Sequence, residues 1–380
     1  MQQGAAIPIF RHVVQPLGQM LAFIAGVGAA LSILVIVAAL ALRGSITDFD
    51  LIQRSLSILP QVVINGITIG FVYSTIALGY TMVYGVLEFI NFAHSEIFMV
   101  GGVVGVELLL FLERQGTLAG ASGVTAYLIL GFAIIIGMLV SGGLAVTIER
   151  VAYRPLRNAP RLVPLISAIG MSFLLQDAVR FILSITTGQF NVIMPTFGDF
   201  SKDIPIGPQD IAVPIKVQID SVIVIGVAIV MLLGLNYLVN VTKIGKAIRA
   251  VAQNRSAASL MGINVNFIIA TTFLIGGALG GAAGVLYALK FTRLDPFVGF
   301  FPGIKAFTAA VLGGIGNLTG ALLGGLALGM LESFAASYLS IFTRGAFGAE
   351  YKDILAFAIL IIVLIFRPSG LLGQTVGQKA

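Results

Sequence analysis

Six largely apolar runs, each long enough to cross a bilayer, set the limits on what this chain can fold into. They cover residues 21–42, 61–84, 126–148, 162–183, 219–240 and 267–289, and a spanning helix needs about 20 such residues. Less regular runs occupy 89–112, 303–335 and 354–366. Charged residues make up 10% of the chain, against roughly 25% in soluble domains, so a water-soluble fold is excluded. The runs are continuous rather than alternating, which disfavours a β-barrel. The expected fold is an all-α polytopic membrane protein of about ten helical segments, within a range of eight to eleven, with Gly-broken helices around a central path.

The net charge of +6 does not point to nucleic acid, because the basic residues are spread over short loops between apolar runs. There they report orientation. Residues 149–161 hold four Arg and one Glu, and 241–266 hold two Lys, two Arg and no acid. The intervening 184–218 holds three Asp and two Lys. The positive-inside rule therefore places 149–161 and 241–266 in the cytoplasm and 184–218 outside. The tail beginning "RPSG" is expected inside. That parity requires the run 303–335, broken by Gly313, Gly314, Gly316, Gly320, Gly324 and Gly325, to fold as a hairpin with no net crossing. Irregular backbone at membrane depth is tolerated only inside protein or beside water. Residues 39–41, "ALA", resemble a signal-peptidase site, but the 21–42 run exceeds a signal peptide's apolar core and is expected to be retained as a helix.

Several chemistries are unsupported. The chain has no cysteine and only His12 and His94, which argues against thiolate chemistry and a His-based metal site. No phosphate-cradling G-x-x-x-x-G-K-[ST] motif occurs, so ATP hydrolysis is expected on other subunits. "GGIGNLTG" (313–320) has the wrong spacing for a dinucleotide loop and sits in an apolar run, where helix packing or a re-entrant turn is the expectation. No catalytic constellation, cofactor or metal site is identified, and the chain is expected not to be an enzyme.

Two places carry unusual polarity. "EFINFAHSEIFMVGG" (88–102) sets Glu88, Asn91, His94, Ser95 and Glu96 in an apolar region. On a helix Asn91, His94 and Ser95 would share a face, with Glu88 three residues before Asn91 and Glu96 pointing elsewhere. Asn91, His94 and Glu96 form the candidate polar network; solvation at the membrane surface and direct contact with substrate are the other readings. The second place is a short helix expected around 246–261, with Arg249, Gln253 and Ser256 on one face and a turn at Gly262. It reads either as an interfacial helix against anionic lipid or as a docking surface for a motor subunit.

A family resemblance then becomes specific. "INGITIGFVYSTIALGYTMVYGVLEFINFAHSEIFMVGG" (64–102) resembles the permease subunits of high-affinity branched-chain amino acid ABC importers. So do "IERVAYRPLR" (148–157), "LISAIGMSFLLQ" (165–176), "ASLMGIN" (258–264), "GIKAFTAAVLGGIGNLTGALLGG" (303–325), "YKDILAF" (351–357) and "RPSGLLG" (367–373). The chain most resembles the first of the two homologous permeases in such systems. It departs at Ser95, where the family usually has Gly, and at Ser256, where an ionisable residue is common. The resemblance implies a permease domain at 59–373, preceded by an extension at 1–58 with one extra helix (21–42) and followed by a cytoplasmic tail at 374–380. It also implies import of branched-chain or other neutral amino acids by alternating access in a bacterial inner membrane. The implied partners are two cytosolic ATPase subunits, a homologous second permease and a periplasmic binding protein. Import of urea or short amides by the same machine is the alternative, and an ion-coupled secondary transporter a more distant one.

Overall fold

In a computed structural model the described residues are 15–42, 50–87, 89–157, 159–160, 162–206, 215–314, 316–343, 345–367, 370 and 372. His12, Glu88 and the tail 374–380 lie outside them. The apolar runs become α1 (Gln15–Leu42), α2 (Asp50–Leu87), α3 (Ala93–Arg114), α4 (Val124–Ile148), α5 (Leu162–Thr186) and α6 (Ile219–Val241). After two short helices, α7 (Lys243–Gln253) and α8 (Arg255–Leu260), come α9 (Val265–Phe291), α10 (Phe300–Gly313), α11 (Leu318–Phe342) and α12 (Lys352–Phe366). Eight of these are long and apolar enough to cross a membrane: α1 to α6, α9 and α11. With the shorter apolar helices α10 and α12, the fold falls within the expected eight to eleven segments.

The protein is thus a multi-pass helical membrane protein. α2, α9 and α11 form its centre, each mostly buried, whereas α1, α5 and α6 are largely exposed. Apolar attraction between helices is weak in lipid, so packing relies on close backbone approach at small residues. α2 and α11 meet in this way, since a side chain at Gly329 would overlap the Gly70 backbone. Helix α2 is continuous across residues 58 and 59, and α1 begins six residues before the expected 21.

The run 303–335 does break. α10 ends at Gly313, and Asn317 caps α11 by accepting a hydrogen bond from the Gly320 N–H at 3.1 Å. "GGIGNLTG" is therefore a tight turn between two packed helices. The backbone near the C-terminus seats on this turn, the Leu372 N–H donating to Gly313 O at 3.1 Å. The segment between α5 and α6 carries structure beyond a plain loop. Strand β1 (Val192–Ile193) pairs antiparallel with β4 (Arg293–Leu294), and β2 (Asp203–Ile206) with β3 (Ile215–Gln218) in the register Asp203↔Gln218. Both ladders lie at the end of the bundle opposite α7 and α8.

Two local expectations are corrected. Residues 89–92 are not helical, and α3 starts at Ala93 with a turn in which the His94 N–H donates to Asn91 O. Asn91 therefore shares no helical face with His94 and Ser95. The helix expected at 246–261 is two helices, divided at Asn254. Its backbone is extended there (φ −157°), and its side chain caps α8 by accepting from the Ala257 N–H at 2.9 Å. Asparagine favours such caps over helix interiors, so Ser256 leaves the phase of Arg249 and Gln253.

Candidate functional site

The first turn of α3 is sunk into the bundle. His94 lies against Gly79 of α2 and Gly280 of α9, with its ring edge-on to Tyr80 at 4.7 Å between centroids. Gly79 is eight residues short of the end of α2, or roughly 12 Å at 1.5 Å per residue. On the other side, Glu96 Oε1 accepts from Gln176 Nε2 at 2.8 Å and Ser172 Oγ at 3.1 Å, both in the middle of α5. Asn91, His94, Ser95 and Glu96 are all buried. Ionisable groups at such depth are costly and generally functional.

Asn91, His94 and Glu96 are close in sequence but their side chains are not joined to one another by hydrogen bonds. Asn91 Oδ1 accepts from the Tyr153 hydroxyl at 2.7 Å, His94 inserts between α2 and α9, and Glu96 turns to α5. Each keeps one buried polar atom without a hydrogen-bond partner: Asn91 Nδ2, His94 Nε2 and Glu96 Oε2. The trio therefore acts as three separate tethers of α3. Ser95 Oγ donates back to Phe92 O at 2.8 Å and packs against Gly303 of α10. That contact also fits the position's small size.

A second buried charge cluster escaped the sequence reading. Lys305 of α10 lies 3.0 Å from Glu332 Oε1 of α11 and 2.7 Å from Asp353 Oδ1 of α12. Lys352 lies 2.9 Å from the same Glu332 oxygen, and the Tyr73 hydroxyl of α2 donates to Glu332 Oε2 at 2.7 Å. Two lysines face two carboxylates, so the cluster is neutral while tying four helices together. The available signal was a lone Lys and a lone Glu within the apolar run 303–335, each expected to need a partner.

At the opposite end of the bundle, α7 and α8 form an elbow. Arg249 donates to Val239 O at the end of α6. Arg255 donates to Val86 O and Leu87 O at the end of α2, at 2.9 and 3.2 Å. The buried Glu149 holds Arg154 at 2.8 Å and also Arg157, which reaches Asn266 at 2.6 Å. Between these groups opens a cleft of about 420 Å³ lined by Arg157, Gln253, Asn254 and Arg255. Arg249, Gln253, Ser256 and Gly262 are all exposed, while Ile248, Val251 and Ala258 pack inward. Gly262 has φ +81° and closes α8, with its N–H on Ser259 O and that of Ile263 on Ala258 O. At the tip Leu260 and Met261 are 87% and 82% exposed, an apolar projection that water alone does not favour. Among the described residues no group of three or more metal-ligating side chains occurs.

Comparison with known proteins fits this arrangement. A family model described as branched-chain amino acid transport system, permease component, matches residues 62–364. The chain is 40% identical over 322 residues to the high-affinity branched-chain amino acid transport system permease protein BraD of Pseudomonas aeruginosa, covering 84% of this chain and 97% of BraD. It is 40% identical over 319 residues to the corresponding protein LivH of Escherichia coli K12, with the same coverage. A probable branched-chain amino acid transport permease protein of Methanocaldococcus jannaschii is 28% identical over 305 residues, 78% of this chain and 87% of that one. No solved structure matches. The ten apolar helices, the sunken polar turn and the extent of these matches lead to one assignment: the chain belongs to the family of permease components of branched-chain amino acid transport systems.

Proposed function

We propose that this chain is the membrane-spanning permease subunit of an ATP-driven importer for branched-chain or other neutral amino acids, seated in a bacterial inner membrane. The carrying observation is its 40% identity to BraD across 97% of that protein's length. In this reading two cytosolic ATPase subunits, a homologous second permease and a periplasmic binding protein complete the machine. The elbow α7–α8 is the contact for the ATPase: Leu260 and Met261 enter the motor subunit, Gly262 sets the turn, and Arg249, Gln253 and Ser256 flank it. Closure of the motor subunits then pushes on the ends of α6 and α2, which Arg249 and Arg255 grip. Because α2 also bears on His94 through Gly79 and Tyr80, the push reaches the sunken turn of α3 and drives alternating access. Asn91, His94 and Glu96 brace that turn. Residues 1–58 with α1 are an extension to a permease domain at 59–373.

The loop charges support an orientation with α7–α8 in the cytoplasm and the β2–β3 ladder outside. A Lys202→Cys variant is expected to react with an impermeant maleimide in intact cells, and a Lys243→Cys variant only after lysis. The opposite pattern overturns the orientation. The assembly itself is tested by co-expressing the chain with its candidate partners and measuring leucine uptake into proteoliposomes. ATP-dependent uptake that vanishes without the binding protein supports the reading. Uptake driven by an ion gradient, or of urea in place of leucine, refutes it.

A further inference from the structure

We infer that Glu96 supplies the negative charge that receives the cationic amino group of the transported molecule within the membrane. The inference rests on the amino-acid transport reading above and adds the atom that meets the substrate. Glu96 has no exposed surface, and its partners are two neutral donors: Ser172 and Gln176 both bond to Oε1. These two stand one turn apart on α5, so they fix the carboxylate plane and leave Oε2 without a hydrogen bond. Among the described residues no lysine, arginine or histidine forms an ion pair with it. A buried carboxylate held by neutral donors still lacks a counter-charge, and a charge-assisted bond to an ammonium is the strongest it can gain.

The free oxygen faces the start of α10. Oε2 faces the backbone of Gly299, where any side chain would collide with the carboxylate. Gly299 opens α10, and the side chains around it, Phe297, Phe300 and Phe301, are 53%, 46% and 64% exposed. Gly299 is itself buried, and the exposed aromatic side chains flank it in sequence. In this inference the start of α10 moves outward to admit a primary ammonium to Oε2. Aromatic faces favour a cation on this approach. The ligand class is a small molecule with a primary ammonium and an apolar body.

The test uses the complete importer in proteoliposomes with radiolabelled leucine. Glu96→Gln keeps the shape, and its carbonyl can accept the Ser172 and Gln176 bonds, so the bracing survives while the charge is lost. The complex is expected to co-purify in normal yield while uptake falls about ten- to a hundredfold, the loss that one hydrogen bond to a charged group corresponds to. Glu96→Asp, which keeps the charge, is expected to retain a measurable part of the uptake. Wild-type uptake in Glu96→Gln overturns the inference, as does a fall matched by an equal loss of assembled complex in both variants. A second measurement needs no substitution: a hydrophobic carbodiimide should label Glu96, read by mass spectrometry, and turnover with leucine-loaded binding protein should slow that labelling. Labelling that leucine leaves unchanged also overturns it. Uptake by the unaltered complex tests the transport reading, whereas the ratio of variant to unaltered uptake tests this one.

Discussion

Glu96 and Glu332 are both carboxylates buried in the helical bundle, yet their surroundings differ in kind. Glu332 is met by Lys305, Lys352 and the Tyr73 hydroxyl, and the charges of its cluster cancel within the protein. Glu96 is met by an amide and a hydroxyl, and one oxygen is left over, facing the buried backbone of Gly299. Burial alone does not distinguish a brace from a binding group; the charge of the partners does. A neutralised cluster resists change and suits a fixed joint among α2, α10, α11 and α12. An unneutralised carboxylate is costly until a cation arrives, and suits a step in which one does.

The comparison breaks most severely at Glu332. Glu332→Gln leaves two lysines facing Asp353 alone, and removing one member of a buried pair costs about 3–5 kcal/mol. Loss of thermal stability and of assembled complex is the expected result. Normal stability in detergent would show that the cluster is not a joint. Combining Lys305→Met with Glu332→Leu should recover part of the loss, because the apolar pair leaves fewer buried charges. A double-mutant cycle measures that coupling.

A smaller cost is expected at the elbow. Gly262→Val places a β-branched residue at φ +81°, where strain of about 1–3 kcal/mol is expected. It touches no spanning helix, so insertion should be normal while ATPase co-purification and coupled hydrolysis fall. Arg249→Glu should weaken the same contact by freeing the elbow from Val239 O. If both variants retained the ATPase, the elbow would be a lipid anchor and not a coupling surface.

The smallest stability effect belongs to Glu96. Glu96→Gln keeps both bonds from α5 and should shift stability by less than about 1 kcal/mol, against the several expected at Glu332. Thermal unfolding of the two Gln variants side by side sharpens the contrast. Equal destabilisation would mean that the charge of Glu96, like that of Glu332, is structural.

Much of the fold was legible before any coordinates. Hydrophobic length located seven of the eight spans, because lipid demands about 20 apolar residues per crossing, whereas the run 303–335 took in most of both α10 and α11. Charge parity required the break in 303–335, and the turn at Gly313–Asn317 supplies it. A turn at Gly262 was expected from the sequence, and its φ of +81° supplies one. Segments 88–102 and 241–266 also stood out by composition alone, since polar residues in an apolar region and acid-free basic loops are local signals.

Tertiary structure decided which partners those residues meet. Asn254 divided the elbow because its side chain caps α8, a choice that helical periodicity does not register. Asn91, His94 and Glu96 are neighbours in sequence, yet they face Tyr153, the helices α2 and α9, and the helix α5 respectively. Glu332 meets Lys305 and Lys352 across three helices, at separations in sequence that no spacing rule links. The sequence determined which segments are long and apolar enough to cross a membrane, because hydrophobicity acts on each segment separately. Only the packed bundle decided which buried charges are neutralised, because that depends on distances between helices.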